Sequence, residues 1–292
     1  MLCQSFWAQN SFDNFFKTSD SLNTKRQTSV FISEVALASV ALIGLNQLWY
    51  ADYPKSNFHF INDNADWMQM DKMGHLYSSY HLGRLGAASL KWSGSSKKSQ
   101  LVYGASCGFV FLTAVEIMDG YSDEWGASMG DVFANASGTA LFVSQELIWN
   151  EQRIIPKFSF HTTSSANYRP DLLGNSIQEQ ILKDYNGQTY WLSTNLHSFF
   201  KKSKIPKWIN VAFGYGAEGM LGENDIKNNL ILVTKPEKYR QIYLSLDLDL
   251  TKIDTKSQFL KSLFLVFNSV KIPAPTLEYS SEQRLKFHTL YF

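Results

Sequence analysis

Cysteine is scarce in this 292-residue chain. Cys3 and Cys107 are the only two, and thiols so few and so far apart supply neither a disulfide framework nor a zinc site. Charge is scarce as well: 18% of residues are Asp, Glu, Lys or Arg, and the formal net charge is +1, where a quarter charged is usual. A near-neutral chain without a basic tract interleaved with aromatics has no field to draw nucleic acid, which excludes that class of partner. Long apolar runs are missing too. No stretch reaches about eighteen uninterrupted apolar residues, and the mean hydropathy of −0.20 is low for a fully polytopic protein. G-x-S-x-G, P-loop, H-E-x-x-H and paired C-x-x-C patterns are all absent, so no ready-made nucleophile or nucleotide site is offered.

What the chain does have is aromatic surface. Phe, Trp and Tyr make up 15% of it, within a hydrophobic fraction of 45%, and so much apolar area has to be hidden in a core or against lipid. Residues 1 to 28 read as a signal remnant or an extended N-terminus. MLCQSFWAQN is similar to the tail of a secretory signal, which implies a start codon further upstream, while Cys3 has too little sequence before it for a lipidation signal.

Residues 29 to 150 carry four helical segments, at about 29–50, 70–92, 101–118 and 128–149. The first is about long enough to span a bilayer, but Glu34 and Asn46 interrupt it. Gly104 and Gly108 stand four apart, and Gly130, Ala134 and Gly138 repeat the interval, making small-residue ridges along which helices approach closely. Short helices lying in or against a membrane interface fit both the apolar runs and their interruptions.

From 151 to 292 the character changes. The first residues, to about 171, read as irregular or extended, and a helix follows at 176–185. Trp191, Leu192, Leu196, Phe199 and Phe200 recur at helical spacing. Alternation predicts strands at 211–215 and 242–250, a helix-like segment covers 259–270, and a last strand ends at Phe292. A terminal aromatic on an alternating strand resembles an outer-membrane barrel strand, yet the strands are too few for a complete barrel. A small sheet laid over the helices is the plainer expectation. The fold expected is thus mainly α: a membrane-associated N-terminal bundle of about four helices and an α+β C-terminal region with a few antiparallel strands.

The helical half has few polar residues, and they are regularly placed. Asp71 and His75 share a helix face one turn apart, and Arg84 continues that segment. Glu116 and Asp119 close the third segment, Glu124 and Trp125 sit in the next turn, and Asp131 and Asn135 open the fourth. Ionisable groups in apolar surroundings are costly unless paired, so these are expected to find one another. Three readings stay open. In the structural one, Asp71 and Asp131 serve helix N-termini, His75 bonds a carboxylate and Glu116 meets Arg84 or Lys72. In the second, His75, Glu116 and Asp131 hold a divalent metal, whose nitrogen and carboxylate ligands suit zinc, iron or manganese. In the third, His75 with a carboxylate partner performs metal-free acid–base catalysis.

Asp71-Lys72-Met73-Gly74-His75, then Glu116-Ile117-Met118-Asp119, then Trp125 and Asp131-Val132-Phe133-Ala134-Asn135 together resemble the YfiM-like family of predicted periplasmic lipoproteins. The same order is similar to VanZ-like membrane proteins. The resemblance covers about residues 65 to 150 and implies a cell-envelope, membrane-associated location, periplasm-facing or at the outer membrane. It implies no reaction, and Asn135 stands where some members carry a second aspartate. Membrane lipid and an envelope protein are the partners expected. The function expected is a non-enzymatic envelope scaffold or binding component, with a membrane-associated, metal-dependent hydrolase using His75, Glu116 and Asp131 as the alternative.

Overall fold

The computed structural model describes residues 12–222 and 237–292, so the expectations placed on residues 1–10 and on Cys3 lie outside the described residues. Helices dominate up to residue 150, and a six-stranded antiparallel sheet occupies the C-terminal half. The chain forms two compact units. One takes the residues up to Asp63, Ser78–Glu151 and Thr255–Val266; the other takes Asn64–Tyr77, Gln152–Asp254 and Phe267–Phe292.

The first unit holds α1 (Thr24–Leu45), most of α2 (Met70–Trp92), α3 (Cys107–Gly120) and α4 (Met129–Ile148). Ten α-helical segments occur among the described residues; besides these four they include the single turns Lys97–Ser99, Ser165–Tyr168, Pro170–Leu173 and Leu196–Phe199 and the longer Ile177–Lys183 and Gln258–Phe267. Asn23 caps α1 by accepting the Arg26 N–H. The Arg26 guanidinium then lies 4.4 Å over the Trp92 ring and donates to the Trp92 carbonyl, which fastens the start of α1 to the end of α2. Beyond that point α1 exposes Ile32, Val35, Leu37, Val40 and Ile43, each more than 60% accessible.

By length and composition alone, Thr24–Tyr50 and Lys97–Gly120 are long enough and apolar enough to cross a membrane. The Gly104 and Gly108 ridge does what its spacing suggested. A Cβ at Gly108 would overlap the Ser79 carbonyl, and one at Gly104 would meet the Ala87 backbone, so α2 and this segment cross nearly backbone to backbone.

The second unit is built on β1 (Ile154–Phe160), β2 (Gln188–Asn195), β3 (Ile209–Glu218), β4 (Tyr239–Leu248), β5 (Ala274–Ser280) and β6 (Arg284–Tyr291), each paired antiparallel with the next. The stretch read as irregular or extended at its start is strand β1 over Ile154–Phe160. The helical spacing at 191–200 does not produce one helix. Trp191 and Leu192 belong to β2, and Leu196 to Phe199 form a single helical turn capped by Asn195, which accepts the Ser198 N–H. Two short elements in sequence mimic one amphipathic helix.

Alternation along the strands sorts the side chains, but the buried face is the polar one. On β4, Tyr243, Ser245 and Asp247 are buried, while Ile242, Leu244 and Leu246 are 42%, 49% and 52% accessible. Lys157 and Asp247, both fully inside, pair at 2.7 Å. Around them Asp247 accepts from Ser193 Oγ at 2.6 Å, the Trp191 indole donates to Ser159 Oγ, and Asn195 and Asn210 bond each other. The sheet also curls. Tyr291 on β6 reaches Thr189 on β2 at 3.2 Å and Tyr243 on β4 at 2.9 Å, although four strand spacings in a flat sheet would separate β6 from β2 by about 19 Å.

Candidate functional site

The candidate polar residues fall into local groups. In the first unit the group is organised by Ser128, the N-cap of α4. Its hydroxyl accepts the Asp131 N–H at 3.3 Å and donates to Asp63 at 2.5 Å. Its own N–H donates to the Glu116 carboxylate at 2.9 Å. Ser128-Met129-Gly130-Asp131 has the spacing of a capping box, in which the acid at the fourth position normally returns to the cap's N–H. Here Glu116, arriving from α3, takes that N–H instead, and a cap that is usually local becomes a tie between α3 and α4.

Glu116 is 3% and Asp131 3% accessible, and Asn135 is fully buried. The Asn135 carbonyl accepts from Ser79 Oγ at 2.7 Å, and the same hydroxyl meets Thr139 at 2.9 Å, which brings α2 onto α4. Asp119 takes the Tyr50 hydroxyl at 2.6 Å, and Trp125 packs edge-on against Tyr50 and Tyr53. Arg84 is buried in α2, whereas Glu124 is exposed and stands outside this polar interior. The connection 55–61 is strapped over the same helix ends. The Gly120 carbonyl accepts the His59 N–H, and Phe60–Ile61 pairs in parallel with Ala127–Ser128.

Removing the Glu116 acceptor leaves a buried N–H unmet. Glu116→Ala should therefore cost about 1–3 kcal/mol, read as a fall in the midpoint of unfolding in detergent micelles. Glu116→Gln, which keeps an acceptor oxygen, should recover part of that loss. An alanine variant as stable as the parent would remove the tie from the account.

In the second unit the group lies at the start of α2. Trp67, Met68 and Gln69 take φ of 47°, 51° and 66° in succession, a left-handed turn of residues with side chains that costs roughly 1–2 kcal/mol apiece. Its surroundings hold it. The Tyr215 hydroxyl donates to the Met68 carbonyl at 2.6 Å, while Gln69 donates to the Asn64 carbonyl and accepts from Arg240. Immediately after this turn, Asp71 accepts the Tyr185 hydroxyl at 2.6 Å, and His75 Nε2 lies 3.7 Å from the same carboxylate. Met70, Tyr190, Ala217 and Met220 form the apolar floor beneath.

Burial pushes the Asp71 carboxyl up. The charges of His75 and Lys72 and the Tyr185 hydrogen bond pull it down further, and it titrates below the usual carboxylate range. A folded value below the unfolded one gives stability that is complete above the unfolded carboxyl pKa, about 3.9, and lost as pH falls through the folded value. Asp71→Asn should accordingly lower stability at neutral pH and flatten the acid limb of the stability profile. An unchanged acid limb, measured by denaturant titration across that range, would show that Asp71 contributes nothing there.

Chemically, Asp71 and His75 offer an oxygen and a nitrogen donor one turn apart, and Glu116 and Asp131 offer two buried carboxylates. Nitrogen and carboxylate donors are, in each unit taken by itself, of the kind that zinc, iron or manganese accepts. Sequence reasoning named these residues but missed their anchors. Ser128 was signalled by its capping-box spacing; Asp63, Ser79 and Tyr185 carried no local pattern that would have marked them.

Residues 59–145, under a third of the chain, match a family described as predicted periplasmic lipoprotein (DUF2279). That span contains every candidate residue above and none of the six-stranded sheet. No curated protein and no solved structure matches the chain. The family description agrees with a membrane-associated location at the cell envelope.

Proposed function

We propose that this chain is a non-enzymatic scaffold or binding component of the cell envelope. In this reading the N-terminal half is a membrane-associated bundle of about four helices, and an envelope protein or ligand engages the C-terminal half. One observation carries the proposal: several polar side chains of the matched region tie its elements together. Glu116 serves the Ser128 N–H, Ser128 caps α4, Ser79 ties α2 to the Asn135 carbonyl, and Asp71 receives Tyr185. The exposed aliphatic side of α1 and the bilayer-length helices support a location at lipid, as does the envelope description of the matched family.

The test is fractionation of native cells expressing the gene from its own locus, together with His75→Ala and Asp131→Asn variants. The chain should stay with membranes through high-salt washing, and both variants should keep that location with only a loss of stability. Recovery in the salt-soluble fraction would overturn the membrane assignment. Stoichiometric zinc, iron or manganese in the purified parent, lost in His75→Ala, would replace the scaffold by a metal-dependent role for His75 and Asp131.

A further inference from the structure

The six-stranded sheet has its polarity reversed relative to a water-soluble barrel or sandwich. Inward positions are Lys157 and Ser159 on β1, Thr189, Trp191 and Ser193 on β2, Asn210 and Ala212 on β3, Gln241, Tyr243, Ser245 and Asp247 on β4, and Thr276, Glu278 and Ser280 on β5, all buried. They satisfy one another. Lys157 meets Asp247, Gln241 donates to Glu278 at 3.2 Å, Thr276 donates to Ser245 at 2.8 Å, and His288 of β6 lies 2.6 Å from Glu278.

Because side chains alternate, the opposite face must take the remaining residues, and from β3 to β6 these are large and apolar. Phe213, Leu244, Leu246, Leu277, Tyr279, Leu285, Phe287 and Leu290 are between 41% and 69% accessible. The outward positions of β4 run Arg240, Ile242, Leu244, Leu246 and Leu248, so the only charge stands at the end of the row. Exposed apolar area this continuous is foreign to a surface that faces water.

We infer that this outer face is seated in the hydrocarbon of a lipid bilayer. Its charge pattern selects lipid: a face without charge along its middle matches a medium without charge, whereas a protein partner would meet a polar rim. Its height agrees too. Ile242 to Leu248 covers about 20 Å along the strand, and strands of about 9–11 residues tilted near 45° carry an apolar band about 25 Å tall in membrane barrels; β3 and β4 have 10 residues each. Elsewhere in the chain the exposed aliphatic residues of α1 lie on a helix of bilayer length, so a single medium accounts for both inverted surfaces. The inference rests on the membrane association proposed above and adds that the sheet itself is embedded.

The test uses the full chain with Cys3→Ser and Cys107→Ser, reconstituted into vesicles of phosphatidylcholine and phosphatidylglycerol. Single cysteines at Leu244→Cys and Phe287→Cys, with Leu37→Cys on α1, carry an environment-sensitive fluorophore. Phe213→Cys serves where either sheet variant fails to fold by circular dichroism. The sheet probes should be blue-shifted, lose most of their emission to a nitroxide-bearing lipid and resist aqueous iodide. Sheet probes quenched by iodide and untouched by the lipid quencher, with Leu37→Cys still quenched by lipid, would overturn the embedded sheet and leave membrane association standing. If no probe responds to lipid, both readings fall. Sheet probes shielded from both quenchers in a chain that sediments as a dimer would assign the face to a second copy instead.

Discussion

Asp247→Leu should destabilise the protein by roughly 3–5 kcal/mol, because it leaves buried cationic groups without their carboxylate. Asp247 is the hub of the sheet interior. It holds Lys157 at 2.7 Å, lies 4.0 Å from Lys271, and accepts from Ser193 Oγ and from the Ile272 N–H. Both lysine side chains are fully inaccessible. Removing the aspartate strands two ammonium groups and two further donors, while the carbonyls of Leu248, Leu246 and Ile272 still accept from the lysines without neutralising them.

Lys157→Met should cost less. Asp247 then keeps Lys271, Ser193 and Ile272, and methionine fills much of the vacated volume. The two substitutions contact one another, so the double variant should be more stable than the sum of the singles predicts. Guanidinium unfolding in micelles, followed through Trp191 beneath the Lys271 ammonium, gives all three values. Additive costs, or an Asp247→Leu variant near the parent, would show that the interior is wetter than its burial implies.

The same interior explains what the sequence could and could not reveal. Strand β4 was legible, since Ile242, Leu244, Leu246 and Leu248 alternate with Tyr243, Ser245 and Asp247 over a long enough run to exclude other periods. Alternation names two faces without saying which is inside. That choice belongs to pairings between distant residues: Lys157 with Asp247, Tyr291 with Thr189, Glu278 with His288. On the last strand, likewise, His288 lies 2.6 Å from the Glu278 carboxylate while Leu285 and Phe287 form the outer side.

The helical half was more legible because its signals are local. The 70–92 segment is α2 to the residue, and Asp131 sits in the first turn of α4 as its type and position implied. The third segment departs from expectation at its start. A π-turn over Gln100–Gly104 precedes α3 at Cys107, placed where the glycine crossing with α2 demands close approach. Even where single residues were found, their use was not. Glu116 answers an N–H twelve residues on, through a cap whose usual acid lies elsewhere.

Arginine at Leu244 separates lipid from water at the sheet's outer face more sharply than any change in the interior. On a surface in water such a substitution falls within about 0.5 kcal/mol of neutral, and replacing a half-exposed leucine by a charge commonly helps solubility. In hydrocarbon an arginine near mid-bilayer costs about 2–4 kcal/mol and the cost shrinks toward the interfaces. The row on β4 supplies its own ruler, because the exposed Arg240 already stands at one end. The penalty should therefore be largest for Leu244→Arg and Leu246→Arg, smaller for Ile242→Arg next to the native arginine, and large again for Phe287→Arg, whose backbone position on β6 is opposite Leu277 of β5. Unfolding from vesicles at a common lipid-to-protein ratio provides the comparison. A flat, near-zero profile along the row would mean that water, not acyl chains, bathes Leu244. A graded one fixes the direction in which the strand crosses the apolar layer, since Asp247 and Lys157 stay paired inside the sheet whatever is placed outside it.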